Sequence, residues 1–199
     1  MNKISRVCIY CASSAMVDSV YFDATERLAQ ELVRNEIEVV YGGGSIGLMG
    51  RLADTVLKED GKITGVIPKF MDDVEWSHQR LTKLIFTETM HQRKALLIEN
   101  IDAVIALPGG TGTLEELFEV ITLKRLGLFS KPIAILNTNK FYAPLKEMLE
   151  KCVTENFMKS KHLAMWSFVE QPENIIPTLQ NSPQWNKDAI KFAVVVDKN

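Results

Sequence analysis

A run of five apolar residues, 103–107 (AVIAL), passes straight into 108–116 (PGGTGTLEE) and from there into the amphipathic stretch LEELFEVITLKRLGLF. A strand that is apolar along its whole length is buried on both faces, and a short glycine turn from strand to helix is the first half of a β–α–β unit. The same alternation recurs along the chain. Residues 6–12, 38–43, 63–68, 83–89 and 132–137 read as further strands. Residues 21–37, 47–60, 90–101, 113–129 and 141–156 carry helical periodicity, and 163–170 and 172–181 finish the pattern. The fold class predicted is α/β, a Rossmann-like doubly wound parallel sheet with helices on both faces. In such sheets ligands bind beyond the carboxyl ends of the strands, so both glycine-rich turns are expected to share one crevice. Residues 1–182 are read as one nucleotide-binding catalytic domain; the tail 183–199 receives no role.

Composition removes several classes of function. Lys and Arg number 23 against 25 Asp and Glu, so no nucleic-acid or membrane partner is called for. The first residues lack the apolar core of a secretory signal, and no apolar run is long enough to cross a bilayer. Three cysteines, an odd number, argue against a disulfide framework and fit a cytoplasmic location. Cys8 and Cys11 form a lone CxxC inside a strand pattern. Strand alternation sends them to opposite faces, so they read as buried small residues rather than a redox or zinc pair. His78 and His91 lack a metal-ligand pattern, and no metal is expected.

The turn at 108–116 has the makings of an anion site. The first N–H groups of a helix have no partner within it, glycine lets a ligand approach the backbone, and the Thr111 and Thr113 hydroxyls add donors. Glu115 and Glu116 then fall in the first helical turn, where they would face a sugar rather than a phosphate. A tight turn followed by acids that favour the helix dipole is the plainer reading. The second turn, 42–50 (GGGSIGLMG), contains GxGxxG at Gly42, Gly44 and Gly47. It follows the second strand, and the next strand ends without an acid, so a nicotinamide dinucleotide is not expected. No GxxxxGK[ST] occurs, which removes a P-loop nucleotidase. In 90–94 (MHQRK), Arg93 and Lys94 oppose the dipole of the helix they open, a local cost expected where function offsets it. The planar fork of Arg93 suits a ribose, a phosphate or the Glu116 carboxylate. Lys94 reads equally as a solvated charge. Glu75 lies in the irregular segment 72–81, the kind of connection that forms lids.

The segments VYGGGSIGLMG, GVIPKF, the spaced Glu75 and His78, MHQRK and PGGTGTLEE occur here in the order seen in the LOG (Lonely Guy) proteins. The chain resembles that family from about residue 6 to residue 181. The family comprises cytokinin riboside 5'-monophosphate phosphoribohydrolases, long misnamed lysine decarboxylases. The resemblance implies a Rossmann-like homodimer that cleaves the N-glycosidic bond of AMP-type nucleotides without metal or organic cofactor. It makes Arg93 and Glu116 catalytic and gives the 5'-phosphate to Gly109, Gly110, Thr111, Gly112 and Thr113. Lys94, Glu75, Ser13, Gly43, Gly44 and Met90 are further expected substrate-binding residues. Ala12 stands where the family usually has glycine. Plain AMP and an N6-prenylated AMP remain open as substrates. A pyridoxal-phosphate lysine decarboxylase, with Lys94 as the one site-adjacent Schiff-base candidate, and a nucleotide binder without turnover are the rival readings. The helix at 113–129 carries more apolar side chains than one packed face needs, so a partner subunit is expected to cover it; cover by the chain's own tail is the alternative.

Overall fold

The computed structural model describes residues 2–72, 76–186 and 188–194. Seven parallel strands form one sheet in the order β4-β3-β2-β1-β5-β6-β7. In chain order the strands are β1 (Arg6–Tyr10), β2 (Glu38–Tyr41), β3 (Ile63–Pro68), β4 (Lys83–Thr87), β5 (Ala103–Ala106), β6 (Ile133–Leu136) and β7 (Ser167–Val169). The helices are α1 (Ser19–Arg34), α2 (Gly47–Lys58), the single turn α3 (Lys69–Asp72), α4 (Met90–Leu97), α5 (Thr111–Arg125), α6 (Ala143–Thr154) and α7 (Ile175–Asn181). The expected doubly wound α/β fold is therefore present.

Strand alternation builds two separate cores. Val7, Ile9, Val39, Tyr41 and Ile105 face α1, α2 and α7. Cys8, Tyr10, Val40, Val104 and Ala106 face the opposite layer, where α4, α5 and α6 supply Leu97, Leu117, Val120, Ile121 and Leu149. Cys8 and Cys11 are buried as free thiols in opposite cores, as the alternation required.

Where the observed elements are shorter than the sequence pattern suggests, the backbone shows why. Helix α1 starts early because Asp18 caps it, its carboxylate accepting from Val20 N at 3.0 Å, and it stops before Glu36, whose φ is 56°. Helix α4 ends at Leu97 rather than 101, ahead of Asn100 at φ 54°. Helix α5 ends at Arg125 rather than 129, because Gly127 at φ 79° turns the chain. Part of the pattern at 163–170 is a 3-10 turn, Ser160–Met165, leaving only Ser167–Val169 as strand.

Described residues of the tail pack against α5. Trp185 Nε1 donates to the Lys124 carbonyl at 2.7 Å, and Arg125 donates to the Ala193 carbonyl at 2.6 Å. The chain thus covers the C-terminal part of α5 itself, while Phe118, nearer its start, is 39% exposed. Among the described residues no helix is long and apolar enough to cross a membrane.

From β1 the chain winds outward through β2, β3 and β4, then returns to place β5 on the other side of β1. The loops after β1 and β5 therefore diverge, and a crevice opens between them at the carboxyl edge of the sheet.

Candidate active site

One wall of that crevice is the start of α5. Gly110 is its N-cap and has no side chain to accept from the first N–H groups, which leaves the amides of Thr111, Gly112 and Thr113 without helical acceptors. Its three glycines are present for different reasons. A Cβ on Gly109 would lie 2.2 Å from Thr113 Oγ1, so folding alone demands glycine there. A Cβ on Gly110 or Gly112 would meet nothing within 4 Å among the described residues, and neither glycine has a positive φ. The described residues do not require glycine at these two positions, and its absence of a side chain leaves the backbone amides open to close approach.

The other walls come from three segments. Ile9, Tyr10, Cys11, Ala12, Ser13 and Ser14 rise from β1 into its loop, Gly42 and Met49 come from the second glycine turn and α2, and Met71, Met90 and Arg93 close the side toward α4. Both glycine turns thus border one crevice, as expected. Its volume of about 360 Å³ lies in the range of small-molecule sites.

Arg93 and Glu116 meet across the floor. The guanidinium Nη1 donates to Glu116 Oε1 at 2.5 Å, and Nε donates to the Val66 carbonyl at 3.1 Å. Their side chains are 10% and 11% exposed. Thr89 caps α4, accepting from Gln92 N at 3.2 Å, and so fixes the first turn from which Arg93 projects. Burial pushes the Glu116 carboxyl above its ordinary range, with the Arg93 charge opposing that rise. A buried carboxylate with a raised pKa beside one fixed cation can accept a proton from water near neutrality and stabilise positive charge forming next to it.

The remaining sequence-derived residues divide into groups. Thr111, Thr113, Ser13 and Met90 line the crevice with Gly110 and Gly112. Gly43 and Gly44 lie beneath its wall: Gly43, at φ 79°, packs on Ile67 and Val66, and Gly44 sits under Met49. Gly42 is the glycine of this turn that faces the site, since a Cβ there would lie 2.4 Å from Arg93 Nη2. The GxGxxG match contained that signal, although the ligand it suggests is a different one. Lys94 does not line the crevice; its Nζ lies 2.5 Å from Glu115 and 3.2 Å from Glu119. Glu75 lies outside the described residues. His78 joins the connection after α3 to the glycine turn, its N–H donating to the Gly43 carbonyl at 2.9 Å while Nε2 meets Asp54 at 3.2 Å. Met49 and Met71, which sequence reasoning did not single out, add thioether surface to the crevice.

A family model described as possible lysine decarboxylase matches residues 49–179. A cytokinin riboside 5'-monophosphate phosphoribohydrolase of Arabidopsis thaliana is 40% identical over 183 residues, 92% of this chain and 81% of that protein. A probable cytokinin riboside 5'-monophosphate phosphoribohydrolase of Oryza sativa is 44% identical over 159 residues, 80% of this chain and 71% of that protein. Among solved structures, a molybdenum cofactor binding protein from Rippkaea orientalis superposes with a TM-score of 0.65 at 19% identity, covering 88% of this chain and 94% of that one. At that identity the likeness concerns the fold alone.

Proposed function

This chain belongs to the possible lysine decarboxylase family, the LOG family, and we propose that it hydrolyses AMP-type nucleoside 5'-monophosphates, plain or N6-modified, to free base and ribose 5-phosphate. The observation that carries the reading is the pair Gly110 and Gly112, glycines that nothing among the described residues requires, at the open N-terminus of α5. A dianionic 5'-phosphate on those amides sets the ribose toward Glu116. Cleavage of the C1'–N bond builds positive charge on the sugar, which the carboxylate stabilises. Glu116 takes a proton from the attacking water, whose oxygen adds to C1', while the base nitrogen leaves with the C1'–N bonding pair and takes a proton from solvent. Arg93 holds the carboxylate and the ribose in place. The relatives' names support this substrate class.

The family's description points instead to decarboxylation on pyridoxal phosphate. That chemistry needs a lysine amine free to form a Schiff base, and Lys94, the candidate, does not fit: it is ion-paired to two glutamates, and the Glu115 hydrogen bond raises its pKa. Binding without turnover is disfavoured by the buried Arg93–Glu116 pair, and release of adenine from AMP distinguishes the two.

Gly112→Ala tests the phosphate site. Alanine is the better residue inside a helix by about 0.5–1 kcal/mol, so the thermal midpoint should hold or rise. Activity on AMP should fall by about tenfold to a hundredfold, the worth of one lost hydrogen bond to a charged group. The parent enzyme should correspondingly cleave adenosine far more slowly than AMP, because adenosine lacks the remote group whose binding energy positions the ribose. Full AMP turnover by the alanine variant, or adenosine cleaved as fast as AMP, would remove the turn from phosphate binding.

In this proposal residues 1–182 are the catalytic domain, the protein is cytoplasmic, which suits three free thiols, and it works as a homodimer. Phe118 on α5 and Phe86 on the edge strand β4 remain 39% and 45% exposed, apolar surface that a second copy would cover. Light scattering at micromolar concentration should return twice the 22.5 kDa chain mass. A monomer mass refutes the dimer.

A further inference from the structure

We propose that Lys94 is a positioning residue that neutralises Glu115 and Glu119, the carboxylates flanking Glu116 on α5, and thereby tunes the catalytic carboxylate without touching substrate. The inference rests on the role given to Glu116 above.

Three carboxylates occupy five consecutive positions of α5, and Glu115 lines the crevice beside the expected phosphate. Residues three and four apart on a helix are neighbours, so Glu119 repels both Glu115 and Glu116. Arg93 is committed to Glu116. Lys94, the next residue of α4, answers the other two, with Nζ at 2.5 Å from Glu115 and 3.2 Å from Glu119. Its side chain is only 13% exposed, while those of Glu115 and Glu119 are 54% and 38% exposed. The sequence places Lys94 in a first turn where it would oppose the helix dipole, but α4 is only Met90–Leu97, so Lys94 falls in its last turn, where a cation suits the dipole. Its partners all lie on α5.

The groups around Glu116 have separable roles. From α4 come Arg93 and Lys94, both positive; from α5 come Glu115 and Glu119. From β1 and the residue after it come Cys8, Tyr10 and Cys11, all kept protonated by burial and so uncharged over the working range. The Lys94 charge lowers the Glu116 pKa and the Glu115 charge raises it. Removing Lys94 takes away the first influence and exposes the second, so both changes push Glu116 the same way.

The test is the pH dependence of kcat/KM for AMP in the full-length protein. Lys94→Gln should move the acid limb upward by about one pH unit, the effect of one nearby charge, so its deficit against the parent grows to roughly tenfold on the acid side of the limb and disappears above it. Lys94→Arg should keep the limb in place. Adding Glu115→Gln and Glu119→Gln to Lys94→Gln should return the limb close to its parental position, since the carboxylates it neutralised are gone. A substrate contact behaves differently: Lys94→Gln would raise KM at every pH, leave the limb unmoved and resist rescue by the glutamine pair. That outcome overturns the proposal. Carbon NMR of labelled glutamate carboxyls reads the Glu116 titration without substrate. An unmoved titration in Lys94→Gln rejects the proposal even if AMP is not the substrate, whereas failure of the parent protein to release adenine counts only against the functional reading.

Discussion

Replacing Glu116 by glutamine is expected to lower kcat on AMP by about a hundredfold or more while nucleotide binding stays measurable. The amide keeps the volume of the side chain and an oxygen that can accept from Arg93 Nη1, so the 2.5 Å contact has a surrogate. It loses the charge that an oxocarbenium-like state requires and the basicity that draws a proton from water. The parent enzyme should show the same dependence through pH. Burial holds the Glu116 pKa above the ordinary carboxylate range, and the ionised form is the active one. Activity should therefore fall with decreasing pH through that raised value, earlier than a solvent-exposed carboxylate would dictate, and the glutamine variant should lack that limb. Binding of AMP with an unchanged thermal midpoint separates this loss from misfolding. A near-parental kcat would remove Glu116 from the chemistry.

What could be read from sequence was local. The apolar run 103–107 and the turn after it sit within fourteen residues, so the strand and the open helix start follow from spacing alone, whereas Glu115 and Glu116 fall in the second turn of α5 rather than the first, because the helix already begins at Thr111. The opposite faces of Cys8 and Cys11 follow from a period of two. What failed depended on where the chain meets itself. Three adjacent glycines, 42 to 44, are equivalent on paper; the end of β2 and the φ of 79° at Gly43 decide that Gly42 faces Arg93 while its neighbours go under the wall. Lys94 was visible as a cation at the rim, but its partners lie 21 or more residues away on another helix. The apolar excess of α5 does not tell from sequence how its cover is divided: Trp185 and Ala193, some sixty residues on, pack near its C-terminal end, while Phe118 nearer its start stays exposed. Helix ends missed by a few residues wherever a left-handed residue such as Asn100 sat inside an otherwise helical pattern.

Arg93→Lys is expected to fail on a similar scale, about a hundredfold in kcat/KM, although it keeps the positive charge. The guanidinium does three things at once. Nε donates to the Val66 carbonyl at 3.1 Å, Nη1 to Glu116 at 2.5 Å, and Nη2 occupies the space that the absent side chain of Gly42 leaves beside the crevice. Two anchors in one plane fix the direction of the third nitrogen, which holds the carboxylate in place and, in the proposed reaction, would meet a ribose hydroxyl. An ammonium is a single point on a flexible stem. It can satisfy the β3 carbonyl or the α5 carboxylate, but it cannot hold both in one plane while presenting a third donor. With its partner unfixed, Glu116 is free to rotate, and small misplacements at a reacting centre are costly. Gly42→Ala should act in the same direction without touching any charge, since its methyl would lie 2.4 Å from Nη2 and displace the fork. Parallel losses in the two variants, with the thermal midpoint largely held, would identify geometry as the contribution of Arg93. If the lysine variant kept most of the activity, Arg93 would be reduced to a source of positive field, and the planar fork would have no part in the reaction.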